Sequence, residues 1–316
     1  MNFPVFDMHC DTALGLLGAN YRSCGSLKSN DLHIDLTRAK TLPGYAQCFA
    51  CFTSPLDCPP DLTPVQIFER EMASVLRELE RNHDVIRQAY TAKEIESNRQ
   101  KGLMSAILTI EGPAGFDYDP ELLQDLYLVG FRMSNLCWNE KNPLTGSHET
   151  GGGLTDQGRE YVKEAQRLGM IVDVSHISDE AFWDIMDMTQ STVIASHSNS
   201  RSVHGASRNL TDDMFKAICN TGGVAGLNLH IPFVGGKEDL DAACDHVFHF
   251  LELDPSGKHI GLGSDMDGSD QLTKGFCGVQ DYPLLAQRLS QRGLDDMTLQ
   301  NIFWNNAIGV IERCCI

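Results

Sequence analysis

The stretch "MIVDVSHISDEAFWDIMDMTQSTVIASH" (Met170–His197) decides the fold class of this chain. It begins and ends with short, nearly continuous apolar runs, and a helical segment opens between them after the capping residue Ser178. Apolar runs of this kind, separated by a helix, are typical of parallel strands that are buried on both faces. The stretch therefore predicts two parallel strands joined by a helix, with His176 and His197 at the carboxyl ends of the strands.

The same alternation continues along almost the whole chain. Eight strands that alternate with helices predict an α/β fold of the (β/α)8 TIM-barrel type. An open, doubly wound sheet is the alternative, but no glycine-rich phosphate loop follows the first strand. We expect a single domain over residues 1–316, with an insertion at residues 12–44. The six other predicted strands are "VFDMH" (Val5–His9), "YAQCFACF" (Tyr45–Phe52), "SAILTIEG" (Ser105–Gly112), "GFRMSNLCW" (Gly130–Trp138), "GGVAGLNL" (Gly222–Leu229) and "HIGLGSDMDG" (His259–Gly268).

Composition limits the classes of partner. The 316 residues are 42% hydrophobic and 22% charged, which is typical of a globular protein with a sizeable core. A formal net charge of −18 argues against a nucleic-acid partner and against docking on anionic membranes. We find neither a signal peptide nor an apolar run of membrane-spanning length. Together with eleven scattered cysteines, this predicts a cytoplasmic protein with reduced thiols.

Polar side chains of metal-binding or acid–base type stand at the carboxyl ends of five predicted strands. This is the edge on which barrel enzymes build their active sites. Each residue alone has an ordinary explanation, such as a hydrogen-bonded structural histidine or an aspartate that caps a helix. Six together, on five strands, favour a metal site. The six residues are His9, Asp11, Glu111, His176, His197 and Asp265.

Three histidines and two carboxylates are more ligands than one tetrahedral zinc ion needs. They suffice for two ions if one carboxylate is shared, and Glu111 is the candidate for sharing. Two metal ions at such a site can hold a hydroxide and stabilise a tetrahedral oxyanion. The residues therefore predict metal-assisted hydrolysis.

Three segments resemble the membrane dipeptidase (renal dipeptidase) family of zinc peptidases, which belongs to the amidohydrolase-like barrels. The similarity runs from His9 to about Ile311, nearly the whole chain. It implies a metal-dependent hydrolase that binds two zinc ions. The segments are "GLTDQGREYVKEAQRLGMIVDVSH" (residues 153–176), "SHSNSRSVHGASRNLTDDMF" (residues 196–215) and "HIGLGSDMDG" (residues 259–268).

The resemblance also assigns ligands to the two ions. It implies that His9 and Asp11 bind the first zinc, that His176 and His197 bind the second, and that Glu111 bridges them. These are the same five residues that the strand ends bring together.

Two further roles follow from the resemblance. Asp265 would handle protons, and Arg208, in "ASRNL", would hold the terminal carboxylate of the substrate. A planar guanidinium matches a carboxylate with two parallel hydrogen bonds, although a structural salt bridge is the alternative for Arg208. The implied function is that of a dipeptidase acting on dipeptides with a free C-terminal carboxylate, including those with a D-residue second. A homodimer is a family-level expectation.

The chain departs from the family at two places. Trp138, in "NLCWNEKNP", stands where some members have a histidine that polarises the scissile carbonyl, and Asn139 or Asn142 is a possible replacement donor. An aromatic contact to the substrate carboxylate is replaced near His230. Other substrates therefore stay open, among them another amide, a lactam, an ester or an N-acyl amino acid. A catalytically silent metal-binding protein is the alternative from another class, and the acidic charge disfavours a phosphoesterase.

Overall fold

The computed structural model describes residues 1–19, 21 and 25–315. Residues 20 and 22–24 of the predicted insertion lie outside the described residues. The strands of the described part are β1 (Val5–Cys10), β2 (Tyr45–Phe52), β3 (Ile86–Gln88), β4 (Met104–Glu111), β5 (Phe131–Ser134), β6 (Ile171–Asp173), β7 (Val193–Ile194), β8 (Ala225–Leu227) and β9 (Ile260–Leu262).

Eight of these strands form a parallel barrel. Their order is β7-β6-β5-β4-β2-β1-β9-β8, and a parallel bridge between Ala195 and Ala225 joins the two ends. The predicted (β/α)8 fold is therefore confirmed. The short strand β3 was not predicted; it pairs with β4 outside the barrel order. Only Ile86 of its three residues is buried, so β3 lacks the apolar run that revealed the other strands.

Helices cover the outside of the barrel, and several begin after a capping side chain, as predicted for Ser178. The side chains of Thr155, Ser178 and Thr211 each accept a backbone N–H in the first turn of the next helix. The helices are α1 (Thr12–Leu17), α2 (Leu36–Ala39), α3 (Pro64–Arg81), α4 (Ala92–Gln100), α5 (Leu123–Val129), α6 (Asp156–Leu168), α7 (Asp179–Met188), α8 (Asp212–Asn220), α9 (Ile231–Val234), α10 (Leu240–Leu253), α11 (Tyr282–Gln291), α12 (Asp296–Gln300) and α13 (Asn306–Cys314). Among the helices of the described residues, none combines the length and apolar character that crossing a bilayer requires.

The segment after β1, which contains α1 and α2, packs against the loop after β9. The backbone N–H of His33 donates to Asp267 Oδ1 at 2.6 Å, and the N–H of Asp267 donates to His33 Nδ1 at 2.9 Å. The segment thus lies beside the carboxyl ends of the barrel strands. A single domain over residues 1–316 stays a prediction.

Glycine is required where the barrel closes. The N–H of Gly226 donates to the carbonyl of Ala195, and its carbonyl accepts the N–H of Ser198, both at 2.8 Å. A Cβ on Gly226 would lie 1.8 Å from the carbonyl oxygen of Ser196, and a Cβ on Gly263 would meet the same atom at 1.8 Å. The backbone at these two positions can approach the carbonyl of Ser196 this closely only because glycine has no side chain.

We therefore expect Gly226→Ala to lower the free energy of unfolding by about 3 kcal/mol, because the strands must separate to admit the methyl group. Chemical denaturation measures the change. Gly205→Ala is the matched control, since a Cβ at Gly205 meets nothing within 4 Å. Equal stability of the two variants would contradict this account of the closure.

Candidate metal centre

The structure brings the five predicted metal ligands together in the barrel mouth, and all five are buried. His9 Nε2 lies 3.3 Å from Asp11 Oδ2 and 3.2 Å from Glu111 Oε2. The other oxygen of Glu111, Oε1, lies 3.0 Å from His176 Nε2 and 3.8 Å from His197 Nε2. Glu111 thus directs one oxygen to each side of the cluster.

The histidine pair shows why this cluster fits a cation. His176 Nδ1 lies 2.9 Å from Asn139 Oδ1, which can only accept, so the proton of His176 is on Nδ1. The hydroxyl of Ser196 donates to Asp173 and therefore accepts from His197 Nδ1, at 2.7 Å. Both Nε2 atoms then carry lone pairs, yet they face each other at 3.0 Å. Two lone pairs at this distance repel unless a positive ion binds both nitrogens.

Unpartnered atoms on the other side of the cluster agree with this. Asp11 Oδ1 is buried and lacks a hydrogen-bond partner among the described residues, and His9 Nε2 lies near two carboxylate oxygens without forming a well-aligned hydrogen bond to either. Imidazole nitrogens and carboxylate oxygens are zinc ligands, and the hydrogen bonds at the distal nitrogens orient the rings as metal sites require. The residues present therefore fit a metal centre.

The pKa values in the cluster are shifted in opposite directions. Burial opposes a charged His9, but Glu111 and Asp11 outweigh burial and raise the pKa of His9 well above its usual range. Burial, together with the charge of Glu111, raises the pKa of Asp11 to about 7. Burial and neighbouring positive charges lower the pKa values of His176 and His197. At neutral pH the metal-free cluster therefore holds a proton at His9 and about half a proton at Asp11, while the histidine pair is neutral.

Two buried aspartates tie the ligand-bearing strand ends together, and the sequence analysis missed them. Asp173 Oδ1 accepts the N–H groups of Ser175 and Ser196, at 2.9 and 2.8 Å, and joins β6 to β7. Asp7 accepts the N–H of Ser264 at 3.1 Å and its hydroxyl at 2.5 Å, and joins β1 to the segment after β9. The available signal was a charged residue inside an apolar strand, which must be paired to be buried.

Asp265 stands at the rim of this cluster. It follows β9 by three residues, as His176 follows β6, and both have left-handed backbones with φ of 64° and 71°. Such conformations are costly outside glycine and cluster at functional sites. Asn228 Nδ2 donates to Asp265 Oδ2 at 3.0 Å. One ion could also reach atoms of His9, Asp11 and Asp265 together.

Arg208 is buried beside the cluster, with its side chain only partly paired. The residue is 4% exposed, and Nη1 donates to Ser198 Oγ at 2.5 Å. Its Nε and Nη2 have no hydrogen-bond partner among the described residues. The guanidinium lies 5.7 Å from the ring centroid of Phe233, and burial lowers its pKa. The salt bridge considered from the sequence is not found in the described part of the chain, so Arg208 can receive an anion.

A cavity of about 290 Å³ opens above the cluster. Trp138 lines it and packs edge-on against Phe52, with ring centroids 5.2 Å apart. Asn139 and His230 also line the cavity. Asn142 does not serve as the predicted donor, because its side chain donates to the carbonyl of Leu136 and accepts two backbone N–H groups of its own loop. Of the two asparagines considered, only Asn139 contacts a predicted metal-binding residue, His176.

We expect zinc binding to the metal-free protein at pH 7 to release about one to two protons per chain, from His9 and Asp11. The sign follows from their pKa values, which are raised, so both sites hold protons that the metal must displace. Calorimetry in buffers of different ionisation enthalpy measures the number. An enthalpy independent of the buffer would contradict this description of the metal-free cluster.

The sequence comparisons agree with the geometry. A family profile described as membrane dipeptidase (peptidase family M19) matches residues 1–314. A protein of Klebsiella pneumoniae from the pqqA 5′ region is 31% identical over 263 residues, which cover 79% of this chain and 97% of that protein. An uncharacterized dipeptidase of Schizosaccharomyces pombe is 33% identical over 214 residues, 66% of this chain and 52% of that protein.

A solved structure extends the likeness to three dimensions. A metallopeptidase from Rhodobacter sphaeroides, liganded with a phosphinate mimic of the dipeptide L-Ala-D-Ala, has a TM-score of 0.89 and 25% identity. The match covers 99% of this chain and 100% of that chain. The resemblance found in the sequence is thus confirmed. The chain belongs to the membrane dipeptidase family, peptidase family M19, and is a zinc-dependent dipeptidase.

Proposed function

We propose that this dipeptidase hydrolyses dipeptides that carry a free C-terminal carboxylate, including those with a D-residue in the second position. The observation that carries the proposal is Arg208, whose buried Nε and Nη2 have no hydrogen-bond partner within residues 1–19, 21 and 25–315. A buried guanidinium without an anion is costly, and a carboxylate offers two oxygens that match its planar fork. The L-Ala-D-Ala mimic bound to the Rhodobacter sphaeroides relative supports the D-residue.

We assign two zinc ions to the chain. His9 and Asp11 would hold the first and His176 and His197 the second, because the two oxygens of Glu111 face these two sets separately. Zinc bound there supplies a Lewis acid and lowers the pKa of water to near neutrality. The protein contributes buried ligands whose orientations are fixed by hydrogen bonds.

Asp265 is assigned to proton transfer. Its carboxylate lines the cavity, and Asn228 holds one oxygen, so the other is available to a substrate. A carboxylate in this position can take a proton released during hydrolysis and give it to the leaving amine. The left-handed backbone of Asp265 fixes its direction.

The substrate class is tested with a panel of L,L and L,D dipeptides and their C-terminal amides, using the zinc-loaded protein. We expect the free acids to be cleaved and the amides to react at least about 100-fold more slowly, because an amide leaves the guanidinium unpaired. Steady-state kcat/KM is the measurement. Equal rates for acids and amides would refute the role of Arg208.

The proton-transfer role makes a separate prediction. Asp265→Asn should lower kcat by about 100-fold or more, since an amide cannot exchange a proton. The variant should keep its zinc, because all five assigned metal ligands are unchanged. Metal analysis together with kcat tests this. Loss of both ions would assign Asp265 to metal binding instead.

One feature favours a second candidate function. Trp138 offers only an indole N–H to a substrate, and Asn139 Oδ1 is already shared by two histidine rings. Another amide, such as an N-acyl amino acid, is then the substrate to try. Turnover of that compound with none on dipeptides would favour it, and zinc binding without any turnover would indicate a silent protein.

We also propose a cytoplasmic location. Every cysteine of the described residues is unpaired, as expected in a reducing compartment. A homodimer remains a family-level expectation, which light scattering measures.

A further inference from the structure

We infer that the pocket selects dipeptides whose first residue has a cationic side chain, and that Asp57 contacts this side chain. The inference rests on the proposed function, because Arg208 sets the orientation of the substrate. It adds the preference at the other end of the dipeptide, which neither the family nor the relatives specify.

The barrel order places Asp57 opposite Arg208. Arg208 contacts Ser198, in the loop after β7, and Phe233, after β8. In the order β7-β6-β5-β4-β2-β1-β9-β8, the strands across the barrel from this junction are β4 and β2. Asp57 ends the short helical turn that follows β2, and it lines the cavity. A dipeptide held by its carboxylate at Arg208 therefore extends its first residue toward Asp57.

The carboxylate of Asp57 is available for a ligand. Asp57 is exposed and forms no ion pair with lysine or arginine in the described part of the chain. Its only side-chain hydrogen bond there is a long contact of 3.5 Å from the hydroxyl of Tyr21. The α-ammonium of a dipeptide is one carbon from the scissile carbonyl and stays near the metal ligands. Asp57, at the cavity mouth, is positioned for the side chain instead.

The charges of the cavity favour a cation at this end. Six of its lining residues are aspartate or glutamate, and none is lysine or arginine. Asp11 and Glu111 belong to the metal centre, and Asp267 accepts hydrogen bonds from His33 and Thr12. These inner carboxylates are occupied by partners within the protein.

The outer carboxylates differ in position. Asp270 lies near His230, on the side of Arg208, as its charge effect on that histidine indicates. On the opposite side, Asp57 is the lining carboxylate that forms no ion pair with lysine or arginine among the residues that the structure describes. Phe52 and Leu14 line the cavity as well, so the methylene stem of a lysine finds apolar surface before its ammonium reaches Asp57.

The test compares lysyl-alanine with norleucyl-alanine, whose side chain has similar length and no charge. We expect kcat/KM to favour lysyl-alanine by about 10-fold at low ionic strength and by less as salt is added, since the pair is partly exposed. In Asp57→Asn this ratio should fall to about two. Asp57→Glu should retain the preference, and Asp84→Asn, an exposed residue outside the cavity, should leave the ratio unchanged.

The outcomes separate the inference from the proposed function. Cleavage of both dipeptides with equal kcat/KM, or an unchanged ratio in Asp57→Asn, would overturn the inference while the dipeptidase activity stands. Cleavage of neither dipeptide would overturn both. Melting temperatures of the variants confirm that the exposed substitutions leave the fold intact, so the ratio reports on the pocket.

Discussion

The constraint on which this structure depends is the close approach of buried metal-binding atoms in the barrel mouth. The Nε2 atoms of His176 and His197 face each other at 3.0 Å, and both oxygens of Glu111 approach imidazole nitrogens. Without a cation the two histidine lone pairs repel, and each unpartnered buried polar atom costs about 1–3 kcal/mol. Favourable interactions elsewhere in the barrel must offset this cost. As a result, the ligands are already in position before a metal binds.

The means of holding them is a second layer of carboxylates below the ligands. Asp173 accepts hydrogen bonds from the strand ends of β6 and β7, so His176 and His197 are held together. Asp7 accepts hydrogen bonds from His9 and Ser264, so the ligands after β1 are held to the segment after β9. Because Gly226 and Gly263 lack a Cβ, the carbonyl oxygen of Ser196 can lie where a side chain at either position would clash with it. Ser196 in turn orients His197. The closure of the barrel between β7 and β8 therefore also determines the orientation of the metal-binding residue His197.

The sequence predicted those parts that follow from periodicity and residue type. Eight apolar runs indicated the barrel, and the strand ends placed His9, Glu111 and Asp265 on one edge. What it could not predict depends on distances between segments far apart in the chain. The hydrogen bonds of Asp7 to Ser264 and of Thr12 to Asp267 join residues more than 250 positions apart. Likewise, no pattern distinguishes Asn139, whose oxygen meets two histidines, from Asn142, which stabilises its own loop.

The proposed role of Arg208 would limit the substrates of this pocket to dipeptides. A peptide that continued past the second residue would present a neutral amide to Nε and Nη2, beside the buried Ser198 and the half-buried Phe233. The buried guanidinium would then stay without an anion, which is costly. Under this proposal, specificity for substrate length follows from the burial of one cation, and the cavity of about 290 Å³ discriminates between substrate side chains.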